Sequence, residues 1–437
     1  MLYDFYHGFD IGMEEGGPAV YTTKPMTARE RVLASLEHRE PDRLAVDLGS
    51  NPSSGISAVA HANLVQHLGL ANQRTWIYDV VQQLAQPSEE LLDRLRIDVV
   101  DIGRTFDATD ADWKPVTLPS GIDVEIPAWF DPVTQEDGSW DAFDESGLRI
   151  ASMPNGAAFF DQTYWPYLDG YPDDLSGLAE VMPKVLWAGL VHSPWDHAGD
   201  DGFWQTLRTQ TQALRASTDR ALMVVVGCNL FEWGTFLRRI DNFLMDLVVD
   251  TANVERLLDA LLEIHFATLD NVLTAVGDLV EVIRFGDDLG MDGGPLMSPE
   301  TYRTIFKPRH AALNAYVHER STLKTFLHSC GSLYDLLPDI VETGVDVLNP
   351  VQISARDMEP AKLKAEFGDA ITFWGGGADT RHVLPKGTPD EVRDHVRRNI
   401  EAFAPGGGFV FATAHNMLPD VPPQNIEAMF EAIDEYR

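Results

Sequence analysis

The residues best suited to chemistry lie in Thr325-Phe326-Leu327-His328-Ser329-Cys330-Gly331-Ser332. Lys324 to Leu327 reads as a short buried strand that Gly331-Ser332 breaks. Side chains two apart on a strand share a side, so His328 and Cys330 project together where the strand runs out. An imidazole and a thiol so placed suit a borderline-soft ion such as zinc. The same pair also fits a hydrogen-bonded core histidine beside an inert cysteine, and the neighbouring loops must decide.

Those loops repeat the pattern. Strand-like runs at Arg43–Gly49, Ile97–Ile102, Leu222–Val226, Val280–Phe285, Lys324–Leu327, Val345–Leu348, Ile371–Trp374 and Phe409–Ala412 alternate with helical segments. About eight β-then-α units predict a (β/α)8 TIM barrel, an α/β fold whose chemistry sits in the loops after each strand. A doubly wound sheet is the alternative, but no G-x-G-x-x-G follows the first strand. The expected mouth gathers Asp47, Cys228, Asn229, Glu232, Asp287, Asp288, His328, Cys330, Gln352, Asp379 and His415. Asp287, Asp288 and Asp47 are candidate proton-handling residues, and Asn229 and Gln352 candidate substrate contacts. His415 is a candidate ligand or proton carrier. Gly375-Gly376-Gly377 and Gly406-Gly407-Gly408 read as tight turns.

Residues 1–25 read as an N-terminal arm and 26–437 as the barrel. Thr27 with Glu30 forms a capping box for the first helix. From about 113 to 165, Thr, Gly, Pro, Trp and Phe mix with short alternating runs, which predicts a β-rich insertion over the barrel mouth. Helices are expected at 173–188 and 204–216.

The chain has 437 residues with 44% apolar and 23% charged content, enough for a large core. Its 33 basic and 68 acidic residues give a formal charge of −35, which disfavours nucleic acid and anionic membranes as partners. No apolar run reaches the ~18 residues needed to span a bilayer. Two cysteines and an N-terminus without an export pattern lead us to expect a cytoplasmic protein.

Several stretches together resemble the uroporphyrinogen decarboxylase superfamily: MTARERVLASLEHREPD at 26–42, Phe285 to Tyr302, His328-Ser329-Cys330-Gly331-Ser332, and Ala414-His415-Asn416 with Val421-Pro422-Pro423-Gln424-Asn425-Ile426. The resemblance implies a (β/α)8 barrel. One branch decarboxylates uroporphyrinogen without a cofactor, using an arginine-rich segment after the first strand. Here that loop is Asp47-Leu48-Gly49-Ser50-Asn51-Pro52-Ser53, with no arginine to pair with carboxylates. The other branch contains zinc methyltransferases that move a methyl group between a corrinoid protein and a thiol, with His-x-Cys and a distant cysteine on the metal. His328 and Cys330 match the first two positions, and His415 stands near the third. The resemblance therefore implies a zinc methyltransferase acting on a small-molecule substrate, with the corrinoid on a separate partner protein. A decarboxylase and a non-catalytic binding barrel are the alternatives. A homodimer is compatible with this reading.

Overall fold

The computed structural model describes residues 25–70 and 74–436. The expected arm at 1–25 lies outside them except for its last residue.

Seven parallel strands form one curled sheet: β1 (Val99–Asp101), β2 (Ala221–Gly227), β3 (Val282–Gly286), β4 (Lys324–His328), β5 (Val347–Asn349), β6 (Thr372–Trp374) and β7 (Phe409–Val410). They pair in sequence order, β1 to β7. The eighth stave is the stretch expected as the first strand. It is extended over 44–48 but makes only one ladder bridge, Val46 to Phe411. Phe411 N–H donates to Ala45 O and Asp47 N–H to Phe411 O, both at 2.8 Å, while Asp98 N–H donates to Val46 O at 2.8 Å. These bonds join β7 to β1 and close a (β/α)8 barrel.

One buried carboxylate locks that closure. Asp98 accepts from Arg31 at 2.7 Å, from Arg43 at 2.7 and 3.0 Å, and from the Val46 N–H at 2.9 Å. Arg31 lies on α1 (Ala28–Leu36), which opens with the expected Thr27–Glu30 capping box. Val32 and Leu36 of α1 join the interior cluster of Ala45, Val99, Met223, Val282, Phe326, Val347, Trp374 and Val410. Arg29 N–H donates to Asp219 O and Gly408 N–H to Ser35 O, just ahead of β2 and β7. The helix thus covers the end where strands begin, leaving the other end as the mouth.

Strands at Trp113–Thr117 and Asp123–Pro127 form a hairpin, and four strands between Val133 and Gln162 form an antiparallel sheet. They build a second core with Ile77, Val80, Leu186 and Leu190. The wall of the mouth comes from residues 79–82 and 182–195 around this insertion, not from its strands. The helix expected at 173–188 is replaced by short turns at Leu178–Val181, Met182–Lys184 and Leu186–Gly189. Pro183 sits inside the run and cannot donate to a continuing helix. Two helices not anticipated, α2 (Phe231–Arg238) and α3 (Ile240–Val249), follow β2. They pack so closely that a Cβ on Gly234 would lie 2.1 Å from the Phe243 ring. Among the described residues no helix is long and apolar enough to cross a membrane.

Asp98→Ala removes the carboxylate that pairs with Arg43 and one of the two that pair with Arg31, which keeps Asp42. Denaturant unfolding should show a loss of about 3–5 kcal/mol. A change below 1 kcal/mol would mean the barrel closes without this clamp.

Candidate metal centre and adjoining cavity

Side chains facing the barrel interior alternate along each strand. Below the mouth they are apolar: Ala45, Val99, Val282, Phe326 and Val347. Two residues further up each of these staves the inward position is polar: Asp47, Asp101, Arg284, His328 and Asn349. Of these, Arg284 and His328 line a cavity of about 460 Å³, together with Ser53, Asp79, Asn229, Glu232, Asp288 and His415.

The structure brings His328, Cys330 and His415 together, with one donor atom of each within 4.8 Å of the others. Cys330 Sγ lies 3.5 Å from His328 Nε2, and the two imidazole centroids are 5.7 Å apart. Asn349 sets the tautomer of His328. Its Nδ2 donates to Trp374 O at 2.8 Å, so its Oδ1 faces His328 Nδ1 at 2.8 Å and accepts the ring proton. The lone pair is left on Nε2, turned toward Cys330. Burial, with Arg284 nearby, pushes His328 down to about 3 and keeps it neutral. His415 is also lowered, by burial.

The loop carrying Cys330 is held from both sides. Cys330 N–H donates to Asp288 Oδ1 at 2.8 Å, and Gly331 N–H to Gln352 Oε1 at 3.0 Å. Gly331 has φ +86, and a Cβ there would sit 2.4 Å from the Gly290 carbonyl carbon, so only glycine fits. Burial, then Asp288, pushes the Cys330 thiol well up. Two neutral imidazoles and a thiol raised by nearby carboxylates form a donor set that a dication suits, because the ion would reverse the thiol's shift.

A second acidic group, Asp107, Asp196 and His197, lies on loops after β1 and before Phe203. His197 meets Asp107 and Asp200 at 3.0 Å through its two ring nitrogens. Burial opposes the charge, but these bonds outweigh it and raise its pKa. Both ring nitrogens are thus engaged by carboxylates within the fold.

The other expected site residues separate by position. Asp288 and Asn229 line the cavity. Asp287 is wholly buried, and its oxygens accept from Phe231 N–H, Glu232 N–H and His310 Nε2 at 2.8–2.9 Å. It anchors the start of α2 and thereby aims Glu232. Asp47 is buried under the mouth, accepting from Trp374 Nε1 at 2.8 Å and Ser50 N–H at 3.1 Å. Gln352 holds the Cys330 loop and bonds Asp292 Oδ1 at 2.7 Å, so both ends of its amide are engaged within the fold. Cys228 is buried with its thiol raised by burial, and it does not join the ligand cluster.

Arg284 and the role of Asn349 escaped the reading of the sequence. The alternation Val282–Arg284 on β3 was the available signal, since an inward Val places Arg284 inward as well. The sequence places Glu232 only near the end of the third strand. Burial, then Asp288 and Asp287, raises its pKa well above a carboxylate's usual range.

A barrel with a polar mouth, a His-x-Cys loop and an adjoining cavity is the class that fold and site define. Residues 226–436 match the family model described as Uroporphyrinogen decarboxylase (URO-D). That segment belongs to the uroporphyrinogen decarboxylase superfamily. The "Methylcobamide:CoM methyltransferase MtaA" of Methanosarcina barkeri is 27% identical over 197 residues, covering 45% of this chain and 53% of that protein. The "Uroporphyrinogen decarboxylase" of Magnetococcus marinus is 26% identical over 117 residues, 27% of this chain and 30% of that one. The chain thus spans about half the length, or less, of these curated relatives. A solved methyltransferase from Methanosarcina mazei shares the fold, with TM-score 0.56 at 18% identity over 94% of this chain and 99% of that one.

Cys330→Ser should lose zinc while remaining folded, and Cys228→Ser should keep it, by elemental analysis after chelator-free purification. The reverse pattern would put the site on β2. Asn349→Ala should weaken zinc binding by about 10–100-fold, because the His328 ring loses its orienting acceptor.

Proposed function

We propose that the chain is a zinc-dependent methyltransferase that moves a methyl group between a corrinoid carried by a separate protein and a small acceptor such as a thiol. The carrying observation is the convergence of His328, Cys330 and His415 at the mouth of a small cavity. The methylcobamide-linked relative supports the same direction. Zinc, when bound, supplies positive charge that favours the deprotonated form of a thiol acceptor at neutral pH.

The remaining roles belong to the chain. His328, Cys330 and His415 would hold the ion, and Asn349 fixes the His328 lone pair toward it. Asp288 fixes the Cys330 backbone and faces the cavity. Glu232 lines the cavity, and its protonated form, favoured by the raised pKa, can donate a hydrogen bond there without adding charge. On this reading the methyl group would pass without its bonding electron pair, which the corrinoid would keep, and the acceptor would supply the pair for the new bond. Two histidines and one cysteine would put less negative charge on the ion than a two-cysteine set, which would make a bound thiolate less nucleophilic.

Decarboxylation of uroporphyrinogen is the weaker reading. The loop at 47–53 brings no arginine to the mouth, and Arg284 is the only Lys or Arg among the described cavity-lining residues. A substrate with eight carboxylates calls for more.

Purified protein should contain close to one zinc per chain and should demethylate methylcobalamin in the presence of a small thiol, followed by the change in corrinoid absorbance. Zinc-free protein, or equal rates with and without Cys330, would remove this assignment. Conversion of uroporphyrinogen to coproporphyrinogen should be negligible, and steady turnover would restore the decarboxylase reading.

A further inference from the structure

The group Asp107, Asp196 and His197 lies outside the mouth cluster and has no part in the proposed reaction. One oxygen of each carboxylate and one nitrogen of His197 lie within 4.8 Å of one another. His197 Nε2 is 3.0 Å from Asp107 Oδ1 and 3.9 Å from Asp196 Oδ1. The two carboxylate side chains are only 11% and 9% exposed, while His197 at 32% leaves a way in from solvent. Asp196 Oδ2 accepts from Trp129 Nε1 and Ser193 Oγ, each at 3.2 Å. Its Oδ1 is buried and accepts from no donor among the described residues. That oxygen is the one turned toward His197 Nε2, and a carboxylate oxygen out of water calls for a positive partner. Burial, then Asp107, pushes Asp196 up to about 6, as expected of two carboxylates held close with too little positive charge between them.

His197 is oriented as a metal ligand would be. Its Nδ1 faces Asp200 Oδ2 at 3.0 Å, and a carboxylate on that nitrogen directs Nε2 at Asp107 and Asp196. Without an ion, a proton on Nε2 bridges to Asp107; an ion takes the place of that proton, which leaves to solvent. Two donors about 2.1 Å from one ion stand about 3.0 Å apart at a right angle and about 3.4 Å apart at the tetrahedral angle. The observed 3.0 and 3.9 Å bracket those values, so seating an ion needs only a small turn of Asp196. Two carboxylates and one imidazole, without sulfur, make a harder donor set than the mouth cluster, suited to a divalent ion such as manganese. The three residues also join two segments of the fold. Asp107 follows β1, whereas Asp196 and His197 continue the wall of the cavity. Trp195 lines that cavity and donates from Nε1 to Val225 O at 2.6 Å.

We propose that Asp107, Asp196 and His197 bind a divalent cation of the manganese type, with Asp200 orienting His197, and that this ion pins the cavity wall to the loop after β1. The inference does not depend on the methyltransferase reading.

The test uses the full chain carrying one equivalent of zinc, titrated with Mn²⁺ at about 0.15 M salt to screen the exposed carboxylates. Loss of the free-ion electron paramagnetic resonance signal should report one saturable site per chain. Asp200→Asn should weaken that site by about 10- to 100-fold, and Asp196→Asn or His197→Gln by more than about 100-fold. Cys330→Ser should bind Mn²⁺ as the unaltered chain does. Saturating Mn²⁺ should slow amide hydrogen exchange across residues 190–197, and should not do so in Asp196→Asn. Should Asp196→Asn fail to fold, His197→Gln, at a partly exposed position, carries the same comparison. Absence of saturable binding would overturn the site and leave His197 as an imidazolium held between carboxylates. Equal binding by the unaltered chain, Asp196→Asn and His197→Gln would overturn it too, by placing the ion on exposed acidic groups. Saturable binding with unchanged exchange would overturn the pinning of the wall. None of these outcomes bears on the zinc assignment, which the Cys330 variant decides.

Discussion

A strand lining a closed barrel points every second side chain inward, and that constraint organises this protein. Inward positions near the covered end are apolar and fill the barrel. The next inward positions toward the mouth are Asp47, Asp101, Arg284, His328 and Asn349. A shift of one residue on β4 would turn His328 outward and break the lone-pair alignment that Asn349 imposes. The Asp98 clamp matters for the same reason, because it fixes the stave at 44–48 against α1 and β1.

The second organising feature is the stiffness of the Cys330 loop. Asp288 and Gln352 take its backbone N–H groups, and Gly331 adopts a conformation no other residue could hold against Gly290. Pre-positioned ligands bind an ion without an ordering cost at the moment of binding. Several polar residues near the mouth are scaffold in this sense. Asp287 shows it well: the sequence places it among candidates for proton transfer, whereas the fold spends both its oxygens on α2 and His310.

Much of the barrel was legible in the sequence. The strand runs and their order emerged from apolar patches bounded by glycines, and caps at Thr27, Ser298 and Thr388 marked helix starts correctly. The proximity of His328 and Cys330 followed from the pleat alone. His415 lies far off in sequence, and its meeting with them depended on the order of strands around the ring. What stayed hidden is what tertiary packing decides. Pro183 broke an apparent helix, and the stave at 44–48 holds its place with one ladder bridge and a buried ion-pair cluster rather than a strand ladder. Arg284 was hidden because an arginine within an apolar strand reads as a surface residue unless its inward register is followed.

The central claim is that two histidines and one cysteine hold a metal at the barrel mouth. X-ray absorption spectroscopy of the zinc-loaded chain tests it directly. The account predicts one sulfur at about 2.3 Å with nitrogen or oxygen at about 2.0–2.1 Å completing four-coordination. A shell with no sulfur, or with two, would contradict it.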